Sequence, residues 1–130
     1  MMKTIELVYP GTTSETKVFL PFKDPSRLIA AYVVCSTNQT TGATIEIKAK
    51  GAAKDMFEID LVAAQTGNYE AGTAYAMSVP TGGDAPTQQQ QKEILDMDTP
   101  LEITTDLQAN GNITLVLVTD PFLIGAHEGL

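Results

Sequence analysis

The feature that most restricts this chain is a two-residue alternation of apolar and polar side chains that returns in segment after segment. In Thr44-Ile45-Glu46-Ile47-Lys48-Ala49-Lys50, Ile45, Ile47 and Ala49 fall on one side and Glu46, Lys48 and Lys50 on the other. Successive side chains of a strand point to opposite faces, so this pattern suits a half-buried strand. Met56 to Leu61 repeats the logic with Phe57, Ile59 and Leu61 inward. Leu101, Ile103, Thr105 and Leu107 do so again.

Two further runs, Leu28 to Cys35 and Ile113 to Val118, are apolar on both faces. Such runs belong to central strands, or to strands whose second face is covered by a partner. Ile5 to Val8, Lys17 to Leu20 and Thr73 to Val79 are shorter strand candidates. Turn signals separate them: Pro10-Gly11, Asp24-Pro25, Asn38 to Gly42, Lys50-Gly51 and Gln65 to Gly72. Asn110-Gly111 is the strongest, because a type I′ turn needs positive φ at both central positions. Short strands punctuated by Gly, Pro and Asn predict an all-β fold, a single antiparallel β-sandwich, jelly-roll-like, over residues 1–130. Its expected core holds Ile45, Ile47, Phe57, Ile59, Leu61, Ile103, Leu115 and Leu117.

Neither an internal repeat nor a linker divides the chain. Pro80 to Gln91, with Gly82-Gly83, Pro86 and four glutamines from Gln88, reads as a long exposed loop. Gln90 to Leu95 has room for one helical turn, which needs tertiary support to persist. Beyond the last strand, Phe122-Leu123-Ile124 either folds back to close the core or docks on a partner.

Composition narrows the function classes. The single cysteine, Cys35, excludes an intrachain disulfide and any zinc site of several thiolates. The start, Met1-Met2-Lys3-Thr4-Ile5-Glu6, lacks the apolar stretch of a signal peptide. The longest apolar run falls far short of the roughly 20 residues of a membrane helix. Net charge is −8, which disfavours a phosphate backbone as partner. Residues 1–54 carry seven bases and four acids, +3, whereas residues 55–130 carry one base and twelve acids, −11, and the two sum to −8. This asymmetry is either a solvated acidic surface or a pair of complementary patches.

Chemistry is hard to place in this sequence. A Ser, Cys or Thr nucleophile needs a base held beside it. The sole histidine, His127, lies near the C-terminus and reads as a solvated residue. Cys35 sits in the apolar run Tyr32-Val33-Val34-Cys35, with nothing near in sequence to stabilise a thiolate. Gly82-Gly83 lacks the spacing of a phosphate or dinucleotide loop. Asp96, Asp98 and Glu102, joined in space by Asp60, Asp106 or Asp120, offer oxygen ligands to calcium, without EF-hand spacing. Twelve acids offer many glycosidase-like pairs, but the absence of Trp leaves no evident sugar-stacking cleft. Asn38-Gln39-Thr40 and Asn112-Ile113-Thr114 match the glycosylation pattern, which has no meaning without secretion. The expectation is a protein that is not an enzyme, with no catalytic, cofactor-binding or metal residues to assign.

A short acidic all-β chain, rich in Thr, Ala, Gly and Gln and without a catalytic set, resembles the small β-sandwich proteins of virions. The likeness is to the cement or decoration proteins of tailed bacteriophages, many of them jelly rolls. It lies in architecture and composition and carries over no functional residue. It implies a structural protein of the capsid surface, assembled in the host cytoplasm and docked on the major capsid protein. The doubly apolar strands and the Phe122-Leu123-Ile124 tail leave more apolar surface than one small sandwich covers. This predicts a homo-oligomer, a trimer first, with part of that surface at the subunit contacts. Neither nucleic acid nor membrane is an expected partner. Val18 to Phe22, the Gly82 to Gln91 loop and Phe122 to Ile124 are the expected contacts. The alternative is a ligand-binding or adhesive β module, such as a fibre head or carbohydrate-recognising domain, with Asn68, Tyr69 and Tyr75 converging on a concave site.

Overall fold

The structure is a computed structural model that describes residues 2–14, 16–38, 43–60, 70–87, 93–107 and 111–121. Eight strands make up the described chain: β1 (Lys3–Pro10), β2 (Thr16–Leu20), β3 (Ser26–Cys35), β4 (Ala43–Ala49), β5 (Phe57–Asp60), β6 (Ala74–Ala76), β7 (Leu101–Leu107) and β8 (Asn112–Pro121). They form two antiparallel sheets of four, in the orders β1-β8-β3-β6 and β2-β7-β4-β5. The first four strands pair with the last four in reverse: β1 with β8, β2 with β7, β3 with β6, β4 with β5. A long hairpin rolled onto itself gives this order, and it is the jelly roll expected from the sequence.

The periodicity explains the layers. Ile45, Ile47, Leu101, Ile103, Leu115, Leu117 and Val33 are completely buried between the sheets, each contributing roughly 2 kcal/mol of transfer free energy. Of the expected core, Phe57 is half-buried against the cluster and Leu61 lies outside the described residues. The two doubly apolar runs are central strands, β8 between β1 and β3, and β3 between β8 and β6. A register shift between Leu28 and Ala30 marks a bulge that turns Ile29 outward.

Two expectations are corrected. Leu95 takes no part in a helical turn: its backbone exchanges hydrogen bonds with Ser26, Ser26 N–H to Leu95 O at 2.9 Å and Leu95 N–H to Ser26 O at 2.8 Å. Its side chain is fully buried. The bridge satisfies the start of β3 where β6 does not reach, and burying one leucine outweighs a short helix's weak propensity. The strand expected over Thr73 to Val79 is confined to Ala74–Ala76. Beyond it the chain changes sheets. Met77 N–H donates to Ala31 O in the first sheet, and Ser78 then exchanges hydrogen bonds with Glu58 in the second. That crossing closes one side of the sandwich.

Because nearly every pairing joins the two halves of the sequence, their opposite charges are interleaved. The meeting point is Glu102 on β7, with Lys48 Nζ from β4 at 3.4 Å and Lys17 Nζ from β2 at 3.8 Å. The asymmetry along the sequence therefore does not survive as two separate patches on the second sheet.

Candidate docking surface

The inner faces of both sheets are dry; the outer faces differ in kind. On the β1-β8-β3-β6 sheet the register aligns three rows of outward side chains. Val8, Thr114, Val34 and Ala74 form one row, Glu6, Val116, Tyr32 and Ala76 the next, and Thr4, Val118 and Ala30 the third. Glu6 is the single ionisable carboxylate among them, at the margin of the sheet. The apolar character comes from β3 and β8, whose sequences put Val or Tyr outward where a solvated strand would carry Thr, Lys or Glu. With rows about 6.8 Å apart and strands about 4.8 Å apart, the flat area is on the order of 300 Å². Val8 is 62% exposed, and the valines of β8 and β3 are half-buried by their neighbours. A patch of this size is comparable to the largest apolar patch of an ordinary monomer, which often serves in binding.

The outer face of the other sheet is charged. Lys17, Thr104, Glu46 and Glu58 form one row, and Phe19, Glu102 and Lys48 another. Glu102 is nearly buried, and its two lysines supply the opposite charge that burial of a carboxylate demands. Lys50 Nζ stands 5.6 Å from the centre of the Phe19 ring, a cation–π contact that half-covers an otherwise exposed aromatic.

At the β5 side of this face lies a cleft of about 380 Å³ between Glu46, Lys48, Lys54, Asp55, Glu58 and Asp84. Lys54 Nζ donates to Gly83 O at 2.9 Å and ties the loop to the sandwich. Burial pushes the Asp55 carboxyl up from its ordinary range; Lys48 opposes this, while Glu102 and Asp84 add to it.

The residues singled out for chemistry are scattered. Asp96 Oδ1 accepts from the backbone N–H groups of Asp98 at 2.9 Å and Thr99 at 2.8 Å, closing a turn before Pro100. Glu102, on β7, is paired instead with Lys17 and Lys48. Among the described residues no three His, Cys, Asp or Glu side chains are grouped to hold a metal ion. Cys35 is fully buried, and desolvation raises its thiol pKa, which keeps it protonated. Tyr75 packs on the core and its hydroxyl accepts from Glu70 N–H at 2.7 Å, so its polar end is engaged locally.

Of the expected contact segments, Val18 to Phe22 runs along the edge strand β2 into the core at Phe22. Pro80 to Thr87 passes through a single 3₁₀ turn at Gly82–Asp84. Gln88 to Gln91, Asn68, Tyr69, His127 and Phe122 to Ile124 lie outside the described residues. The apolar outer face is built from the two runs, Leu28 to Cys35 and Ile113 to Val118, that the sequence marked as apolar on both sides. Both are central strands here, and their outward residues are set in one patch by the register.

Compared with known proteins, the chain matches no family model, no curated protein and no solved structure.

Proposed function

We propose that this chain is a non-enzymatic structural module that docks on a large protein shell and stabilises it, as a decoration protein on the capsid surface of a tailed phage. One observation carries this reading: a jelly roll whose β1-β8-β3-β6 sheet turns an apolar face outward. Fold alone does not assign function, and jelly rolls serve in capsids and in lectins alike. The face is what separates the two. A sugar site needs a concave set of convergent polar groups and aromatic platforms, whereas this surface is flat and mostly aliphatic, with Tyr32 the single aromatic side chain in its three rows.

Its size favours an array. A contact of roughly 300 Å² per partner lies below the roughly 800 Å² per partner of a standard stable complex. Many such contacts become strong when subunits on a lattice bind together, because later contacts form at high effective concentration. In this reading the partner is the major capsid protein, the location is the virion, and neither nucleic acid nor membrane is engaged.

The test is sedimentation of the chain with shells that lack it. Saturable co-sedimentation is expected, lost in Val116→Lys and altered only modestly by salt, because the contact is apolar. The cleft beside Asp55 supports the second reading, a ligand-binding β module. Saturable binding of a defined sugar or peptide, abolished by Asp84→Ala and unaffected by Val116→Lys, would hand the function to it.

A further inference from the structure

The four sheet edges of this jelly roll are unequal. β6 offers three residues, β5 four and β2 five, whereas β1 presents eight. Short edges resist pairing with other chains; a long one is a template for it. β1 pairs with β8 on one side, and no described strand pairs with the other.

The backbone groups on that free side can be assigned. Gly11 N–H donates to Gly111 O at 2.7 Å, which makes this a hydrogen-bonded pair in line with the β1–β8 register. Hydrogen-bonded pairs alternate along an antiparallel ladder. Tyr9, Leu7, Ile5 and Lys3 therefore direct their N–H and C=O groups at β8. Those of Thr4, Glu6 and Val8 point away from the sheet. The ladder is closed off above by Pro10, which has no N–H and whose carbonyl already accepts from Thr13 N–H at 3.0 Å and Thr13 Oγ1 at 2.7 Å.

We propose that β1 pairs antiparallel with β1 of a second copy of this chain, about a two-fold axis through Ile5. In that register Met2 lies opposite Val8 of the other copy, Thr4 opposite Glu6, and Ile5 opposite Ile5. Every outward backbone group of Thr4, Glu6 and Val8 finds its counterpart. Met2 and Val8, 64% and 62% exposed, cover each other. The register one step further would set Glu6 directly against Glu6, a like-charge pair that cross-strand geometry penalises. In the chosen one the two carboxylates are diagonal, about 7–8 Å apart. Both outer faces then lie on the same side of one eight-stranded sheet, with Thr4 and Glu6 of the two copies along the seam between the two apolar areas. The pairing is isologous and closed, so it makes a two-fold dimer rather than a trimer or a fibre.

The inference rests on the edge alone and is tested without any shell, so its failure and that of shell docking are separable. Light scattering and sedimentation velocity on the full chain, over about three decades of concentration, read the association constant. A monomer–dimer equilibrium is expected. Glu6→Pro removes an outward N–H without touching the β1–β8 ladder, and Val8→Lys places a charge on the edge. Each should lower association at least ~100-fold with an unchanged circular dichroism spectrum. If Glu6→Pro unfolds, Val8→Lys decides. Glu6→Gln and added salt should each tighten the dimer, since both relieve the diagonal repulsion. Thr4→Cys chains mixed with Glu6→Cys chains should form an interchain disulfide, because opposed strand residues sit about 5.5 Å apart at Cα, within disulfide reach. A monomer at all concentrations, a trimer mass, dimerisation indifferent to Val8→Lys, or no mixed disulfide would overturn the proposal.

Discussion

The two outer faces of this sandwich are built on the same plan and finished differently. β7 and β8 are each a central strand with a fully dry inner side, Leu101, Ile103 and Leu107 in one, Ile113, Leu115 and Leu117 in the other. Outward, β7 shows Glu102, Thr104 and Asp106, whereas β8 shows Thr114, Val116 and Val118. Folding asks only for the inner side. The outer side of β7 is what a strand facing water carries, held in order by lysines from β2 and β4. The outer side of β8 costs solubility and contributes little to an isolated chain, which is why the proposed docking is placed there.

The inner equivalence is the easiest part of the comparison to break. Leu115→Ala and Ile103→Ala should each lose about 2–5 kcal/mol in chemical denaturation, through lost transfer energy and a cavity. A difference of more than about 2 kcal/mol between them would mean that one sheet carries the core.

Outward, the faces should part. Lys48→Met removes one of the two cations beside the nearly buried Glu102, and a loss of about 1–2 kcal/mol is expected. High salt should shrink the difference from the native chain. Val116→Lys, on the outward side of β8, should cost about 1 kcal/mol or less, because that side chain is half-open to water. Its effect should appear in dye binding to apolar surface and in co-sedimentation. A stability loss larger than that of Lys48→Met would show that the apolar face is a structural layer of the subunit and not a contact surface.

The smallest effect concerns pH. With its folded pKa raised above the unfolded value, Asp55 binds its proton more tightly in the native state. Its contribution is therefore favourable below the ordinary carboxylate range near 4 and is lost as pH rises through the raised value. Asp55→Asn should stabilise by a few tenths of a kcal/mol at pH 7, and the gain should disappear in acid. Melting curves of the two chains at both pH values check the sign.

How much of this was legible in the sequence depended on the range of each signal. Alternation is local, so β4 and the inward side of β5 and β7 could be read directly, and the two-sided runs announced β3 and β8 as central. Leu95 could not be read, because a lone leucine after a glutamine run acquires its place only from Ser26, far away in the chain. Likewise Val8, Val116 and Tyr32 look unrelated until the register sets them in one patch. The free edge of β1 is visible only after Gly11 and Gly111 fix which backbone groups face β8. Charge segregation between the halves was legible, and of its two readings separate patches do not survive on the second sheet, because early strands pair with late ones.

That same topology has a consequence in time. β8 is the hydrogen-bonding partner of both β1 and β3, and it is made after the other seven described strands of the sandwich. Until it arrives, Leu7 has no Leu115 to lie beside and Val33 lacks the same strand on its flank. The two-sided β3 must then wait with apolar faces and an open edge, in a fold already dominated by distant pairings and so slow to form, on the millisecond-to-second scale of non-local β proteins. The apolar surface proposed for docking in the finished fold is also what puts the nascent chain at risk of sticking to the wrong neighbour.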